Sequence, residues 1–273
     1  MSEWSFNDLN LILKIAELAG QKILKIYQKG STQTSAKNDG TPLTEADIVS
    51  NEIIQTELKK NYKEIPILSE EGKEFENDKD IFWCVDPLDG TKEFIKKNGE
   101  FTVNIALIKN KEPILGVIHI PVFKESFMAL KNYGAFHVTT KKVKKLSKQH
   151  HKIKKFPTFA VSRSHCNTKT NNFIKAQQAK IVKAGSSLKL TLLAQGRADA
   201  YPRFGPTSLW DIAAGHIILK ETGGEIYTIS GVPLTYSSTK ILNPEFIAVR
   251  NHNLKYKIEK WCPRHDSNVR PSP

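Results

Sequence analysis

Four groups of acidic residues along the chain could do chemistry together: Asp47, Glu70 with Glu71, Asp86 with Asp89, and Asp211. The densest is Asp86-Pro87-Leu88-Asp89-Gly90-Thr91. A carboxylate ends an apolar run, proline fixes the following turn, and a second carboxylate comes three residues later. Gly90 then permits close backbone approach, and Thr91 opens a short predicted helix whose free N–H groups can meet phosphate. Hard cations such as Mg²⁺ prefer oxygen ligands and keep phosphate and water in their remaining positions. Two carboxylates beside a helix start therefore suggest metal-assisted phosphoryl chemistry. Each acid also has a plainer reading. The hexapeptide can be an ordinary Asp-Pro and Asp-Gly turn, and Glu70 a solvated loop acid. Asp47 can belong to a capping box with Thr44, and Asp211 can be a helix-terminal acid interacting with the dipole. Only their joint presence favours a site.

These residues need elements to bring them together. Apolar spacing predicts an amphipathic helix over 7–28. A polar loop is expected over 31–40, and a helix from the Thr44 capping box to about Lys60. A short strand over 65–68 leads into Ser69-Glu70-Glu71, and Ile81-Phe82-Trp83-Cys84-Val85 reads as a fully buried strand ending at Asp86. Strands over 101–108, 114–120, 126–131 and 134–138, with turns at Asn110 and Asn132, form a meander. The second half alternates: strand 159–162, helix 168–179, strand 181–182, helix 187–196, strand 200–201, helix 211–222, and strands 225–227 and 246–249. The expected organisation is a metal-binding α+β half (1–140), a basic linker (141–155), an α/β half completing the site (156–260) and a tail (261–273). The tail lacks periodicity. Its Asp266-Ser267-Asn268 can be encoded by GATTCGAAC, the reverse complement of a transfer-RNA T-arm sequence, so non-functional translational run-on is expected.

The chain has 273 residues, 39% of them apolar and 25% charged, which is ordinary for a soluble globular protein with a sizeable core. No apolar run approaches the ~18 residues of a membrane span. The N-terminus lacks a basic flank and apolar core, so the cytoplasm is expected. Cys84, Cys166 and Cys262 are scattered and fit neither a disulfide framework nor a zinc site. The net charge of +13 favours anionic partners without choosing among them. Much of it lies in Lys141-Lys142-Val143-Lys144-Lys145, continuing past His150-His151 to Lys154-Lys155. With no interleaved aromatics to stack on bases, this run reads as a solvated loop or edge-strand face rather than a nucleic-acid contact. Peripheral contact with an anionic membrane is the other use it allows.

The hexapeptide and Trp210-Asp211-Ile212-Ala213-Ala214-Gly215 resemble the two signature motifs of the inositol-monophosphatase superfamily; Ser69-Glu70-Glu71 and Thr44-Glu45-Ala46-Asp47 resemble its other acidic motifs. The longer strings from Asp86 to Phe94 and from Asn98 to Ile108, with Ser162-Arg163-Ser164-His165, Gly185-Ser186-Ser187-Leu188-Lys189 and Tyr201-Pro202-Arg203-Phe204-Gly205-Pro206, resemble its CysQ branch of 3'(2'),5'-bisphosphate nucleotidases. The resemblance implies a layered α-β-α-β-α sandwich and two, or three, Mg²⁺ ions per site. It implies a first metal on Glu70, Asp86 and the Leu88 carbonyl, a second on Asp86, Asp89 and Asp211, and Glu71 near a third. Thr91 paired with Asp47 would activate water. Glu70, Leu88, Asp89, Gly90, Thr91, His165, Ser186, Lys189, Arg203 and Asp211 would face substrate. The implied substrate is 3'-phosphoadenosine 5'-phosphate, with its sulfated relative PAPS as another candidate, in the cytoplasm or at the inner-membrane face. Inositol monophosphate or a sugar bisphosphate remains the rival substrate. A basic nucleic-acid-binding protein is the rival class, which would leave the acids unexplained.

Overall fold

The computed structural model describes residues 4–29, 34–36, 42–73, 75, 77–148, 156–164 and 167–252. The chain opens with α1 (Phe6–Lys29), whose apolar face from Leu9 to Ile26 is buried. Strands β1 (Thr34–Ala36) and β2 (Pro42–Thr44) pair antiparallel before α2 (Glu45–Asn61). The polar stretch expected to be all loop thus contains a strand, because pairing with β2 satisfies its backbone groups locally.

Next come β3 (Ile67–Ser69), β4 (Ile81–Asp89), the single-turn α3 (Thr91–Ile95) and a meander of β5 (Thr102–Lys109), β6 (Glu112–Ile120), β7 (Glu125–Leu130), β8 (Gly134–Thr139) and β9 (Val143–Lys145). They form one seven-stranded sheet in the order β3-β4-β5-β6-β7-β8-β9, in which only the β3–β4 pair is parallel. Both expected tight turns are present, with left-handed φ at Asn110 (51°) and Asn132 (71°). The basic run expected to be a linker begins as β9, an exposed edge strand of this sheet. A lysine-rich edge discourages pairing with another chain.

The second half comprises β10 (Thr158–Ser162), α4 (Thr168–Ala176), β11 (Lys180–Ala184), α5 (Leu188–Ala194), β12 (Ala200–Arg203), α6 (Leu209–Glu221), β13 (Glu225–Thr228) and β14 (Phe246–Val249). Its five-stranded sheet runs β11-β10-β12-β14-β13. Helix α4 stops short of the expected residue 179 because Gln178 turns left-handed (φ 49°).

The layers follow from what each surface buries. Helices α1 and α2 cover one face of the large sheet, in a core with Trp83, Val85 and Val103. Helices α5 and α6 fill the space between the sheets, in a core shared by Phe82, Ile118, Leu190, Ile217 and Phe246. Helix α4 covers the outer face of the small sheet through Ile174, beside Phe159 and Ile247. The result is the expected α-β-α-β-α sandwich. Helix α6 is apolar on nearly every side, as a helix between two sheets must be. No helix among the described residues is long and apolar enough to cross a membrane.

Candidate active site

Strand β4 is buried from Phe82 to Leu88 and carries Asp86 to the C-terminal edge of the large sheet. Its pairing with β5 shifts between Asp86 and Asp89. Pro87, which has no N–H to give to a ladder, sits in that irregularity. The Asp86 side chain is buried, at 1% exposure, at the floor of the cavity described below. Its Oδ1 accepts the Leu88 N–H at 3.1 Å, while Ser50 Oγ on α2 donates to the Pro87 carbonyl at 2.7 Å. Gly90 turns the chain with φ 94° and lies where a Cβ would stand 3.1 Å from the Glu100 carbonyl oxygen. Both conditions favour glycine.

Asp47 serves two roles at once. Its Oδ2 accepts from the Thr44 N–H at 2.8 Å and the Thr44 hydroxyl at 2.5 Å, completing the capping box of α2. Its Oδ1 accepts the Thr91 hydroxyl at 3.2 Å. Asp211 is built the same way: as the third residue of α6 it accepts the Ser208 N–H at 2.9 Å and completes a second capping box. The capping and site readings of these acids are therefore compatible.

The folding of α6 between the sheets brings Asp211 to β4. One carboxylate oxygen each from Asp86, Asp89 and Asp211 lie within 4.8 Å of one another. Burial pushes the Asp211 carboxyl up to about 8, reinforced by the charge of Asp89. Burial likewise pushes Asp89 up to about 6, against the opposing pull of Lys189 and a hydrogen bond from Asn104. Burial lowers Lys189 to about 8, opposed by Asp89. Crowded, buried carboxyl groups for which burial makes ionisation costly, all offering hard oxygen donors, fit a divalent cation such as Mg²⁺.

The cluster opens into a cavity of about 670 Å³. Glu70, Leu88, Asp89, Gly90, Thr91 and Asp211 line one side of it; Ser186, Lys189 and Arg203 from the second half line another. Lys189 Nζ donates to the Ser186 carbonyl and lies 5.3 Å from the Tyr201 ring centre. Arg203 is held by Ser162 Oγ (3.0 Å) and the Pro206 carbonyl (2.7 Å). Asp47 stands behind Thr91 rather than in the cavity wall, and Glu71 is likewise absent from that wall. His165 lies outside the described residues, as do Cys166, Cys262, positions 149–155 and the 261–273 tail.

Sequence reading missed three contributors. Asn104 donates from Nδ2 to Asp89 Oδ2 at 3.2 Å. Ser187 donates from Oγ to Asn104 Oδ1 at 2.8 Å. Glu93, 4% exposed, lines the cavity and accepts the Ser164 hydroxyl at 2.5 Å. The available signal was a polar Asn104 inside an otherwise apolar strand, since buried polar side chains are retained for a partner.

The inositol monophosphatase family model matches residues 8–260, and the chain belongs to that family. The family is metal-dependent, and the three-aspartate cluster is an acidic group able to hold a metal. Among its relatives, the 3'(2'),5'-bisphosphate nucleotidase CysQ of Buchnera aphidicola subsp. Acyrthosiphon pisum is 44% identical, covering 84% of this chain and 87% of that protein. The 3'(2'),5'-bisphosphate nucleotidase CysQ of Escherichia coli K12 is 38% identical, covering 87% of this chain and 98% of the other. The crystal structure of CysQ from Bacteroides thetaiotaomicron superposes with a TM-score of 0.75 at 38% identity, covering 89% of this chain and 97% of that one.

Proposed function

We propose that this protein is a Mg²⁺-dependent 3'(2'),5'-bisphosphate nucleotidase that hydrolyses the 3'-phosphate of 3'-phosphoadenosine 5'-phosphate, giving AMP and phosphate. Similarity to CysQ over most of the chain supports the substrate, and the convergence of Asp86, Asp89 and Asp211 supports the chemistry. The role would be to clear the adenosine bisphosphate left by sulfate assimilation and sulfotransfer, in the cytoplasm.

Glu70, Asp86 and the Leu88 carbonyl would hold one Mg²⁺; Asp86, Asp89 and Asp211 would hold a second; Glu71 would contact a third through water. When bound, the metals stabilise charge on the phosphoryl, entering and leaving oxygens. Thr91 donates its hydroxyl proton to Asp47, leaving a lone pair on Oγ1 to accept a proton from the attacking water. The buried Asp47 carboxylate makes that pair a weak general base in the right place. Backbone amides at Gly90 and Thr91 face the phosphoryl oxygens. The leaving 3'-oxygen would take its proton from a metal-bound water near Asp211. Lys189 and Arg203, with Ser186 and His165, contact the nucleotide and its second phosphate, for which a guanidinium provides a planar fork.

Phosphate release from 3'-phosphoadenosine 5'-phosphate, with and without Mg²⁺ and beside inositol 1-phosphate, tests this reading. The expected result is Mg²⁺-dependent preference for the nucleotide. Preference for inositol 1-phosphate would overturn the substrate, and equal rates for the wild-type protein and Asp89→Asn would overturn the metal site.

A further inference from the structure

Asp89, on the first half's sheet, is tied to the turn that opens α5 in the second half. The link runs through the buried Asn104 side chain. Asn104 on β5 donates from Nδ2 to Asp89 Oδ2, while its own Oδ1 accepts the Ser187 hydroxyl at 2.8 Å and the Thr102 hydroxyl at 3.0 Å. Asp89, Asn104 and Ser187 thus form a chain of hydrogen bonds from one half to the other. Thr102, Asn104 and Ser187 are at most 3% exposed, so water does not compete for these bonds.

Two hydroxyls converge on Oδ1, which leaves the NH₂ end of the amide facing the carboxylate. That bond uses Oδ2 and fixes the rotation of the Asp89 carboxyl group. The same contacts fix the turn. Ser186 is held at φ 37°, a left-handed conformation that a serine does not adopt without support. Its hydroxyl meets Thr102 Oγ1 at 3.2 Å. Immediately before it, the Gly185 N–H donates to Glu100 at 2.7 Å, and a Cβ on Gly185 would stand 2.7 Å from the Glu100 carbonyl oxygen. First-half residues therefore impose the shape of a second-half turn that carries Ser186 and leads to Lys189.

We propose that Asn104 is a positioning residue that locks the Asp89 carboxylate and the Gly185–Ser187 turn to one another, so that metal capture at Asp89 depends on a loop that reaches no metal. This rests on the metal-site reading above and goes beyond it by giving Ser187 and Asn104 an effect on Mg²⁺ affinity.

The experiment titrates Mg²⁺, at constant ionic strength and without substrate, into the full-length protein, Asn104→Ala and Ser187→Ala. The thermal midpoint is followed to obtain the half-saturating Mg²⁺ concentration. Ser187→Ala removes one hydroxyl and leaves the Asn104 bond to Asp89 in place, so it guards against an Asn104→Ala protein that does not fold. The expected result is a half-saturating concentration raised about tenfold in Ser187→Ala, and at least as much in a folded Asn104→Ala. Ser187→Thr, which restores the hydroxyl, returns it toward the wild-type value. A purely structural role would lower the metal-free midpoint and leave half-saturation unmoved; values within twofold of wild type would overturn the proposal. No Mg²⁺-dependent shift in the wild-type protein would sink the metal-site reading itself, and this inference with it.

Discussion

Gly215 lies where α5 and α6 touch, and a methyl group there should damage both stability and catalysis. A Cβ at this position would stand 2.3 Å from Leu190 Cδ1 and 2.8 Å from Leu190 Cβ. Rotating Leu190 can move its Cδ1 away, but Cβ is fixed to the backbone, so the helices must separate. Two effects oppose each other in Gly215→Ala. Alanine in a helix interior gains about 1 kcal/mol over glycine, whereas overpacking a tight contact costs roughly 1–3 kcal/mol or more. A contact far inside van der Waals distance belongs at the upper end, so a net loss of roughly 1–2 kcal/mol is expected. Separation of the helices also moves Lys189, adjacent to Leu190 on α5, away from Asp211, one turn before Gly215 on α6. Activity should therefore fall more than the loss of folded protein explains. Urea unfolding at fixed Mg²⁺ measures the stability change. Leu190→Ala alone should cost roughly 2–5 kcal/mol through its cavity. In the double variant the Leu190 Cδ1 and Cγ contacts at 2.3 and 3.1 Å are gone and only the Cβ contact at 2.8 Å remains, so part of the overpacking is relieved and the double should be more stable than the two single losses added together. Additive losses would refute the steric argument.

Asp47→Asn should separate the two roles of that carboxylate: roughly 1 kcal/mol lost from the α2 cap by urea unfolding, and a 10²–10⁴-fold fall in kcat from the Thr91 pair. Burial lowers His119 to about 4 from its ordinary 6.5. The unfolded chain therefore takes up that proton first as pH falls, so stability present above 6.5 is lost toward 4. The loss is roughly 2–3 kcal/mol between pH 7 and 4.5, and comparing unfolding midpoints of the wild type and His119→Gln across that range should show the variant lacking this component. Burial, reinforced by the Asp89 charge, raises the Asp211 carboxyl to about 8, so the metal-free protein is expected to carry a proton there at pH 7. Loading Mg²⁺ at pH 7 should release close to one proton and at pH 9.5 almost none, measured by calorimetry in buffers of different ionisation enthalpy. Equal release at both pH values would contradict the protonated Asp211.

How much was legible in the sequence depended on how far each partner lay along the chain. Asp86 to Thr91 could be read because strand end, turn and helix start are contiguous and each residue type has a local job. The α1 stripe and the meander followed from periodicity, and Asn110 and Asn132 marked their turns. The roles of Asn104 and Ser187 were not legible, because they are 83 positions apart and meet only after the small sheet folds over the large one. Composition predicts loop over 31–40, whereas β1 pairs through its backbone, a feature that composition does not report.

Helix α6 is more apolar than an amphipathic surface helix. Asp211 was placed correctly at its start, yet the run from Leu209 to Leu219 is apolar almost throughout rather than along one stripe, which implies burial on all sides. A helix in that position has to touch both sheets. Gly116 on β6 allows it to: a Cβ there would stand 2.5 Å from Ile217 Cγ2 and 2.8 Å from the Ala214 carbonyl oxygen. Gly215 provides the matching close approach to α5 on another side. Together these glycines fix the depth of α6 against β6 and α5, and that depth sets how near Asp211 comes to Asp86 and Asp89. The small residues after Asp211 in the Trp210–Gly215 motif thus belong to the construction of the acidic cluster as much as the aspartate does: they place the helix that brings its carboxylate to Asp86 and Asp89.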